Sequence, residues 1–458
     1  MENKTAAKEW PDELKPLIRL GKRVQEEIAE FMHLEISGSI VLLVATAIAM
    51  ILANSSLADK YFAVWQTKVG IKIGNFEFFE TILHWVNDFL MAIFFFVVSL
   101  EIKRELIVGE LSSLRKATLP LAAAVGGMAA PALIYTFFNA GGPGADGWGV
   151  PMATDIAFAL GVAALLGRRI PGSLKIFIVA LAIGDDIGAI LVIALFYTQQ
   201  ILWEWLAIAG VLMFVLLIFN IIGFNHLIFY GLIAMGVWFA IFESGVHATV
   251  AGVLVAFAIP AQARRLPLEF VNRSRKRLDH IERTHDPNAH DLNRKEQQTA
   301  AAALQSAAGE IQSPLLRLEH NLHPLTSFVI LPLFALANAG VQIGSGNIFD
   351  ILGNPVGLGI ILGLVVGKQV GITLLSFLAV KLGLANLPTG VSWKHIYGAS
   401  WLTGIGFTMS IFISALAFTG DPAMLDSAKL AVLTASMIAG AGGYLFLFLT
   451  HRPKDSAS

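Results

Sequence analysis

The chain has 458 residues, 56% of them hydrophobic and only 14% charged, with a mean hydropathy of +0.69. Soluble domains carry roughly 25% charged residues, so this composition excludes a soluble globular protein and implies one that crosses a membrane many times. The absence of cysteine excludes disulfides, thiolate metal sites and cysteine nucleophiles; the net charge of −1 identifies no partner, and no nucleic acid is expected.

Residues 1–35 are polar and highly charged, and no signal peptide is visible. Within them, Leu14, Leu17, Ile18, Val24, Ile28 and Phe31 recur among Lys, Arg and Glu. That spacing predicts an amphipathic helix, lying on the membrane or docked on the protein. The first span is expected at Ile36 to Ala53. Alternation from Lys68 to Phe76 predicts a short β-hairpin turning near Gly74 and Asn75, within 67–79. The second span, Thr81 to Leu100, contains Asp88 and ends in the charge cluster Glu101-Ile102-Lys103-Arg104-Glu105. The third runs from Ala117 to Phe138. A Gly-rich loop, Ala140 to Gly149, leads into Pro151-Met152-Ala153-Thr154-Asp155-Ile156 and an apolar run to Leu166. This fourth span has a buried acid near a proline. The fifth, Leu174 to Tyr197, carries Asp185 and Asp186.

Spans six to eight are expected at Trp203 to Ile222, Leu227 to Phe242 and Val246 to Ile259. The polar stretch from Arg264 to Ser313, with Arg273, Arg275, Lys276 and Arg277, reads as a long loop, partly helical and partly disordered. The sequence Leu318-Glu319-His320-Asn321-Leu322-His323 then precedes span nine, Pro324 to Val341. Span ten, Val356 to Leu382, contains Lys368, and span eleven, Trp393 to Phe418, is interrupted at Thr403-Gly404-Ile405-Gly406. Span twelve is Ala428 to Leu449. The expected fold is therefore an all-α polytopic membrane protein of about twelve transmembrane helices. Basic residues concentrate after the even-numbered spans, which puts both termini in the cytoplasm. The corresponding division is a cytoplasmic segment 1–35, spans one to eight in 36–263, a cytoplasmic loop 264–322, spans nine to twelve in 323–450 and a tail 451–458. The interrupted fourth and eleventh spans are the middle members of two three-span groups, three to five and ten to twelve, which enter the membrane from opposite sides. Such inverted repeats with broken helices point to a transport site.

The most informative stretch is Ala182-Ile183-Gly184-Asp185-Asp186-Ile187-Gly188-Ala189-Ile190, inside a run that is apolar from Ile176 to Phe196. One ionised Asp in hydrocarbon costs at least about 2.5 kcal/mol, so two adjacent ones are hard to explain as structure. Protons and a small cation can each neutralise the same buried charge, and their competition is the physical core of antiport. Because adjacent acids are coupled, they titrate as a pair. Asp155, where the fourth span breaks, can neutralise the positive N-terminal ends of opposed half-helices. Lys368 can neutralise the negative C-terminal ends or pair with Asp185, and Thr154 offers a neutral oxygen. Glu319, His320 and His323 form a titrating cluster facing Glu101, Arg104 and Glu105; a plain solvated membrane edge is the alternative.

With Met152 to Leu160 and Ala182 to Ile190 in view, the chain resembles the NhaA-type Na+/H+ antiporters. Phe95 to Leu106, Ser244 to Ala251, Leu318 to Pro324, Leu331 to Val341, Gly367-Lys368 and Thr403 to Met409 extend the likeness along nearly the whole membrane part. The resemblance implies that spans four and eleven cross in mid-membrane. It implies Asp186 as the direct Na+ ligand, Asp185 as a proton carrier paired with Lys368, and Asp155 and Lys368 as compensators of the crossed helices. It further implies a pH-response region at Glu101, Arg104, Glu105, Glu319, His320 and His323, and a homodimer contact at the hairpin near Val69 to Phe76. Its members extrude Na+ or Li+ against inward protons in bacterial inner membranes and need no cofactor. The long stretch from Arg264 to Ser313 departs from the familiar pattern. A Na+-coupled organic-anion symporter and an intramembrane aspartyl protease are the alternatives. The protease reading is weakened because position 182 is Ala and Asp155 follows Thr154.

Overall fold

The computed structural model describes residues 36–74, 76–198, 200–224, 226–262, 313–343 and 353–450, with isolated positions at 271, 275, 278 and 299. The expected amphipathic segment 1–35, the tail 451–458 and most of the 264–312 stretch lie outside the described residues.

The described residues are almost entirely helical. Helix α1 (Ser37–Ala53) is followed by a short α2 (Ala58–Gln66) and a two-stranded hairpin, β1 (Lys68–Ile73) and β2 (Phe76–Thr81). Then come α3 (Ile82–Ile107), α4 (Leu114–Asn139), a 3-10 segment Ala145–Met152, α5 (Ile156–Leu165) and α6 (Gly172–Phe196). Helices α7 (Trp203–Ile221), α8 (Leu227–Glu243) and α9 (Thr249–Ala258) precede the 264–312 stretch. After it come α10 (Pro314–Asn338), α11 (Pro355–Lys381), α12 (Trp393–Leu402), α13 (Phe407–Ala417) and α14 (Pro422–Thr450). By length and composition, eight of the described helices are able to cross a membrane, or ten if each of two bent pairs is one crossing. α8 and α9 are shorter apolar helices.

Three local results differ from the sequence reading. α2 turns away from α1 by 114°, where a polar connection was expected. Its Asp59, Lys60 and Gln66 hide a helix whose Tyr61 is buried against Leu336 of α10 through a hydroxyl-to-carbonyl bond of 2.5 Å. The second strand runs on to Thr81, because Phe76, Phe78 and Phe79 carry β-propensity as well as hydrophobicity. Gly74 supplies the φ of +60° that the turn requires. The Gly-rich stretch after α4 is a 3-10 helix, so the fourth crossing has two halves, Ala145–Met152 and Ile156–Leu165, joined by extended residues at 153–155.

α4 lies between α6 and α11 and sets their spacing. Gly126 of α4 faces Gly371 of α11 so closely that a Cβ on Gly126 would sit 2.1 Å from the Gly371 carbonyl. A Cβ on Gly188 of α6 would sit 2.0 Å from Met128 Sδ of α4. Backbones that approach this closely gain dispersion that lipid chains cannot supply. The same face of α6 that carries Gly184 and Gly188 is thereby locked onto α4, which fixes where the neighbouring Asp185 and Asp186 point.

Candidate functional site

The two interrupted spans meet at their breaks. Asp155 N donates to Ile405 O at 2.7 Å, and Thr154 Oγ1 lies 2.8 Å from Thr403 O. Thr403 to Gly406 separate α12 from α13, which are bent by 50°. Gly404 and Gly406 each weaken a helix by about 1 kcal/mol relative to Ala, so the chain opens here at little cost. Gly404 lies against Leu364 O of α11, where a Cβ would come within 2.6 Å.

Asp155 is the N-cap of α5 and accepts from Phe158 N through Oδ1 at 3.0 Å. Its Oδ2 accepts from Thr408 N at 3.1 Å and from Thr408 Oγ1 at 2.5 Å, in the first turn of α13. One carboxylate therefore caps two helix N-termini, each carrying about half a positive charge. Both oxygens of Asp155 thus accept from helix ends, which fits a compensating role at the crossing.

Asp185 and Asp186 are 1% and 3% exposed, on a helix where successive side chains diverge by about 100°. Their surroundings differ accordingly. Asp185 Oδ2 accepts from Lys368 Nζ at 2.5 Å and lies 2.7 Å from Thr154 Oγ1. Lys368 Nζ also donates to Thr154 Oγ1 at 2.9 Å. The single Thr154 hydroxyl proton serves either Asp185 or the Thr403 carbonyl. Asp185 Oδ1, by contrast, is buried with no hydrogen-bond partner. Asp186 has neither a hydrogen bond nor an ion pair among the described residues, and its charged neighbours are Asp185, Glu101, Asp155 and Lys368. A buried carboxylate without a partner is costly unless a proton or a cation neutralises it. The arrangement thus leaves one saturated oxygen and several open ones at the crossing of the two broken spans.

A second cluster joins α3 and α10. Arg104 bridges Glu319 through Nη1, donates to Glu105 Oε1 at 3.0 Å and lies 3.9 Å from Glu101. Glu105 Oε2 also accepts from Glu110 N at 3.0 Å. Glu319 Oε2 is buried without a partner. His320 and His323 share the α10 segment with Glu319 and are exposed; neither ring makes a described hydrogen bond, but His323, one turn on from Glu319, interacts electrostatically with Glu319 and Arg104. Ion pairs therefore join four of the six residues read as a cluster, and His323 lies within electrostatic reach of them.

On the hairpin side, Asp88 meets His84 Nε2 at 2.7 Å, and His247 Nε2 lies 3.8 Å away. They line a cavity of about 430 Å³ together with Asn87, Asn338 and Lys429. Sequence reasoning missed Thr408, His84 and Lys429. A threonine in an apolar helix carries no charge to betray it, although Thr408 stands two residues beyond the break. Lys429 sits at the start of a span, where a basic residue reads as interfacial.

A model of the family described as Na+/H+ antiporter 1 matches residues 29–447. The chain is 45% identical to a protein of Saccharophagus degradans named Na(+)/H(+) antiporter NhaA 1, over 98% of this chain and 97% of that one. It is 49% identical to the Koribacter versatilis protein named Na(+)/H(+) antiporter NhaA, covering 91% and 90% of the two chains. For the protein of that name from Helicobacter pylori the identity is 46%, covering 92% and 95%.

Proposed function

Because the chain belongs to the Na+/H+ antiporter 1 family, we propose that it extrudes Na+ or Li+ across the bacterial inner membrane in exchange for external protons. The observation that carries this reading is the contrast inside the doublet. Asp185 Oδ2 is held by Lys368 and Thr154, while Asp185 Oδ1 and the Asp186 carboxylate have no partner. A monovalent cation needs several oxygens at once, and Asp186, Asp185 Oδ1 and Thr154 offer them at the junction of the two broken spans. When the cation leaves, protons neutralise the same carboxylates. Cation and proton cannot both be held, which couples their fluxes.

Two acidic groups serve one cation, so the exchange carries two protons per Na+ and is electrogenic. Asp186 is the direct ligand, and Asp185 exchanges its partner Lys368 for a proton. Asp155 is structural, compensating the helix ends. The transport cycle regulates cytoplasmic pH and sodium, and the cluster of Glu101, Arg104, Glu105, Glu319, His320 and His323 sets its response to pH. Na+, Li+ and H+ are cargo, and no cofactor takes part.

The proposed architecture has twelve spans, with α4 to α6 and α11 to α14 as inverted three-span repeats and both termini cytoplasmic. The breaks at 153–155 and 403–406, each in the middle of its group, support it. The hairpin of β1 and β2, with Val69 and Ile71 exposed, is the proposed homodimer contact. Partial deletion within the stretch from Arg264 to Ser313 is expected to spare exchange.

The test is ΔpH in everted vesicles acidified by respiration, on addition of NaCl, LiCl or KCl across a pH series. Na+ and Li+ collapse ΔpH in the parent and fail to do so in Asp186→Asn. No response at any pH in vesicles shown to hold the protein would reject antiport.

A further inference from the structure

α11 does not reach Lys368 as a regular helix. Its residues Gly363–Gly367 form a π-helical turn, in which Lys368 N–H bonds back to Gly363 O. Such turns insert one extra residue and re-aim the side chains that follow, and they concentrate at functional sites. The changed register leaves the rotation of the residues that follow to be set by what packs and bonds around the turn.

The residue after Lys368 addresses this. Gln369 is 7% exposed, and its Nε2 donates to Val365 O, inside the π turn, at 2.5 Å. Its Oε1 accepts from Tyr397 Oη of α12 at 2.8 Å. The Tyr397 ring is itself held edge-on by Phe446 of α14, with centroids 5.1 Å apart. Apart from the bonds of Lys368 itself, no other described side-chain hydrogen bond reaches residues 363–369. From α4, the turn packs on Pro131: a Cβ on Gly363 would lie 3.4 Å from Pro131 O, and one on Gly367 2.8 Å from Pro131 Cα, so backbone packing holds this side while Gln369 and Tyr397 supply the side-chain bonds on the other. α12 and the residue that ends it thus touch the Lys368 centre twice, at Thr403 through Thr154 and at Tyr397 through Gln369.

We infer that Gln369 and Tyr397 are positioning residues, which fix the rotation of α11 at its π turn and so hold the Lys368 ammonium on Asp185 and Thr154. This rests on the reading of Asp185 and Lys368 as part of the exchange site. Neither residue touches the cargo. A rotation of only a few degrees moves an atom about 6 Å from the helix axis by a few tenths of an ångström, enough to weaken the short bonds of Lys368 to Asp185 and Thr154 without dismantling the site. The charged groups facing Lys368 are Asp185 and Asp186 of α6, and Asp186 is faced in turn by Asp155 and by Glu101 of α3. On α12, His395 bonds to Ser392 at 3.0 Å, at the start of the helix.

Two variants test this in proteoliposomes, with the parent measured alongside. Tyr397→Phe removes one oxygen and keeps the ring on Phe446. Gln369→Leu removes both ends of the bridge. Each is expected to raise the apparent KM for Na+ about threefold or more and to move the pH of half-maximal exchange by about 0.5 unit or more, while kcat stays within about twofold. The thermal midpoint of Tyr397→Phe in detergent stays at the parent value. Unchanged KM and pH profile in both variants would overturn the inference. So would a lower thermal midpoint with an unmoved pH profile, which is the signature of a packing role. Absence of Na+-dependent exchange in the parent is a different failure and counts against the exchange reading itself.

Discussion

Asp155 of one broken span bonds Thr408 of the other twice, through the backbone N–H at 3.1 Å and the hydroxyl at 2.5 Å. The same carboxylate caps its own helix at Phe158 N. Removing it therefore uncaps two buried helix ends, and each cap is worth about 1 kcal/mol or more, with a further charge–dipole contribution in a partly buried setting. Asp155→Leu is expected to lose about 2–4 kcal/mol, whereas Thr408→Val, which keeps the backbone bond, loses about 1 kcal/mol. Thermal unfolding in detergent should rank Asp155→Leu below Thr408→Val and both below the parent. An Asp155→Leu protein as stable as the parent would refute the double cap.

The Lys368–Asp185 bond of 2.5 Å joins two side chains with no solvent exposure. Removing one partner of such a pair leaves an uncompensated buried charge, at a cost of about 3–5 kcal/mol. Removing both charges need not cost this. Lys368→Met is expected to lower the thermal midpoint strongly, and Lys368→Met with Asp185→Asn to recover much of it. Additive losses in the double variant would show that the two charges do not compensate each other.

Asp186 gives the opposite result. It has no partner to lose among the described residues, so Asp186→Asn should leave the thermal midpoint unchanged or raise it, while transport disappears. The two readouts separate a site residue from a structural one. A variant that unfolds at a lower temperature than the parent would mean that Asp186 supports the fold through a contact of its own.

These residues differ in how far the sequence exposes them. Asp155, Asp185, Asp186 and Lys368 stand out because a charge within an apolar span has a large desolvation cost, so its presence alone demands a reason. The break before Phe407 is legible too, since Gly404 and Gly406 lie within it. What sequence hides is pairing between neutral groups. Thr408, Gln369 and Tyr397 cost little to bury once hydrogen-bonded, and nothing in their spacing says which helix will face them. The π turn at Gly363–Gly367 is equally silent, because glycines and aliphatics fit either helix. The 3-10 half-helix Ala145–Met152 is masked by glycines at 144, 147 and 149, which read as loop although the backbone packs there against Tyr135 and Tyr197. His320 and His323 are only partly legible: the four-residue step puts His323 on the Glu319 face, within electrostatic reach of Glu319 and Arg104, while both rings are exposed.

Arg104 is the sole cation that bonds Glu101, Glu105 and Glu319 among the described residues. Arg104→Gln leaves three carboxylates facing one another without an ion-pair partner, with His323 the basic group still near Glu319. Their mutual repulsion favours holding protons to higher pH. If release of those protons activates transport, the activation curve of Arg104→Gln moves toward alkaline pH, by about 0.5 unit or more, with the maximal rate retained. Replacing Glu319 by Gln as well removes one of the repelling charges and should move the curve part of the way back. His320→Gln, altering an exposed side chain outside the bonded cluster, should shift it less than Arg104→Gln does. ΔpH measurements in everted vesicles from pH 6 to 9 would settle the order. A larger shift from His320→Gln than from Arg104→Gln would place pH sensing on the exposed histidines and remove the Arg104 cluster from that role.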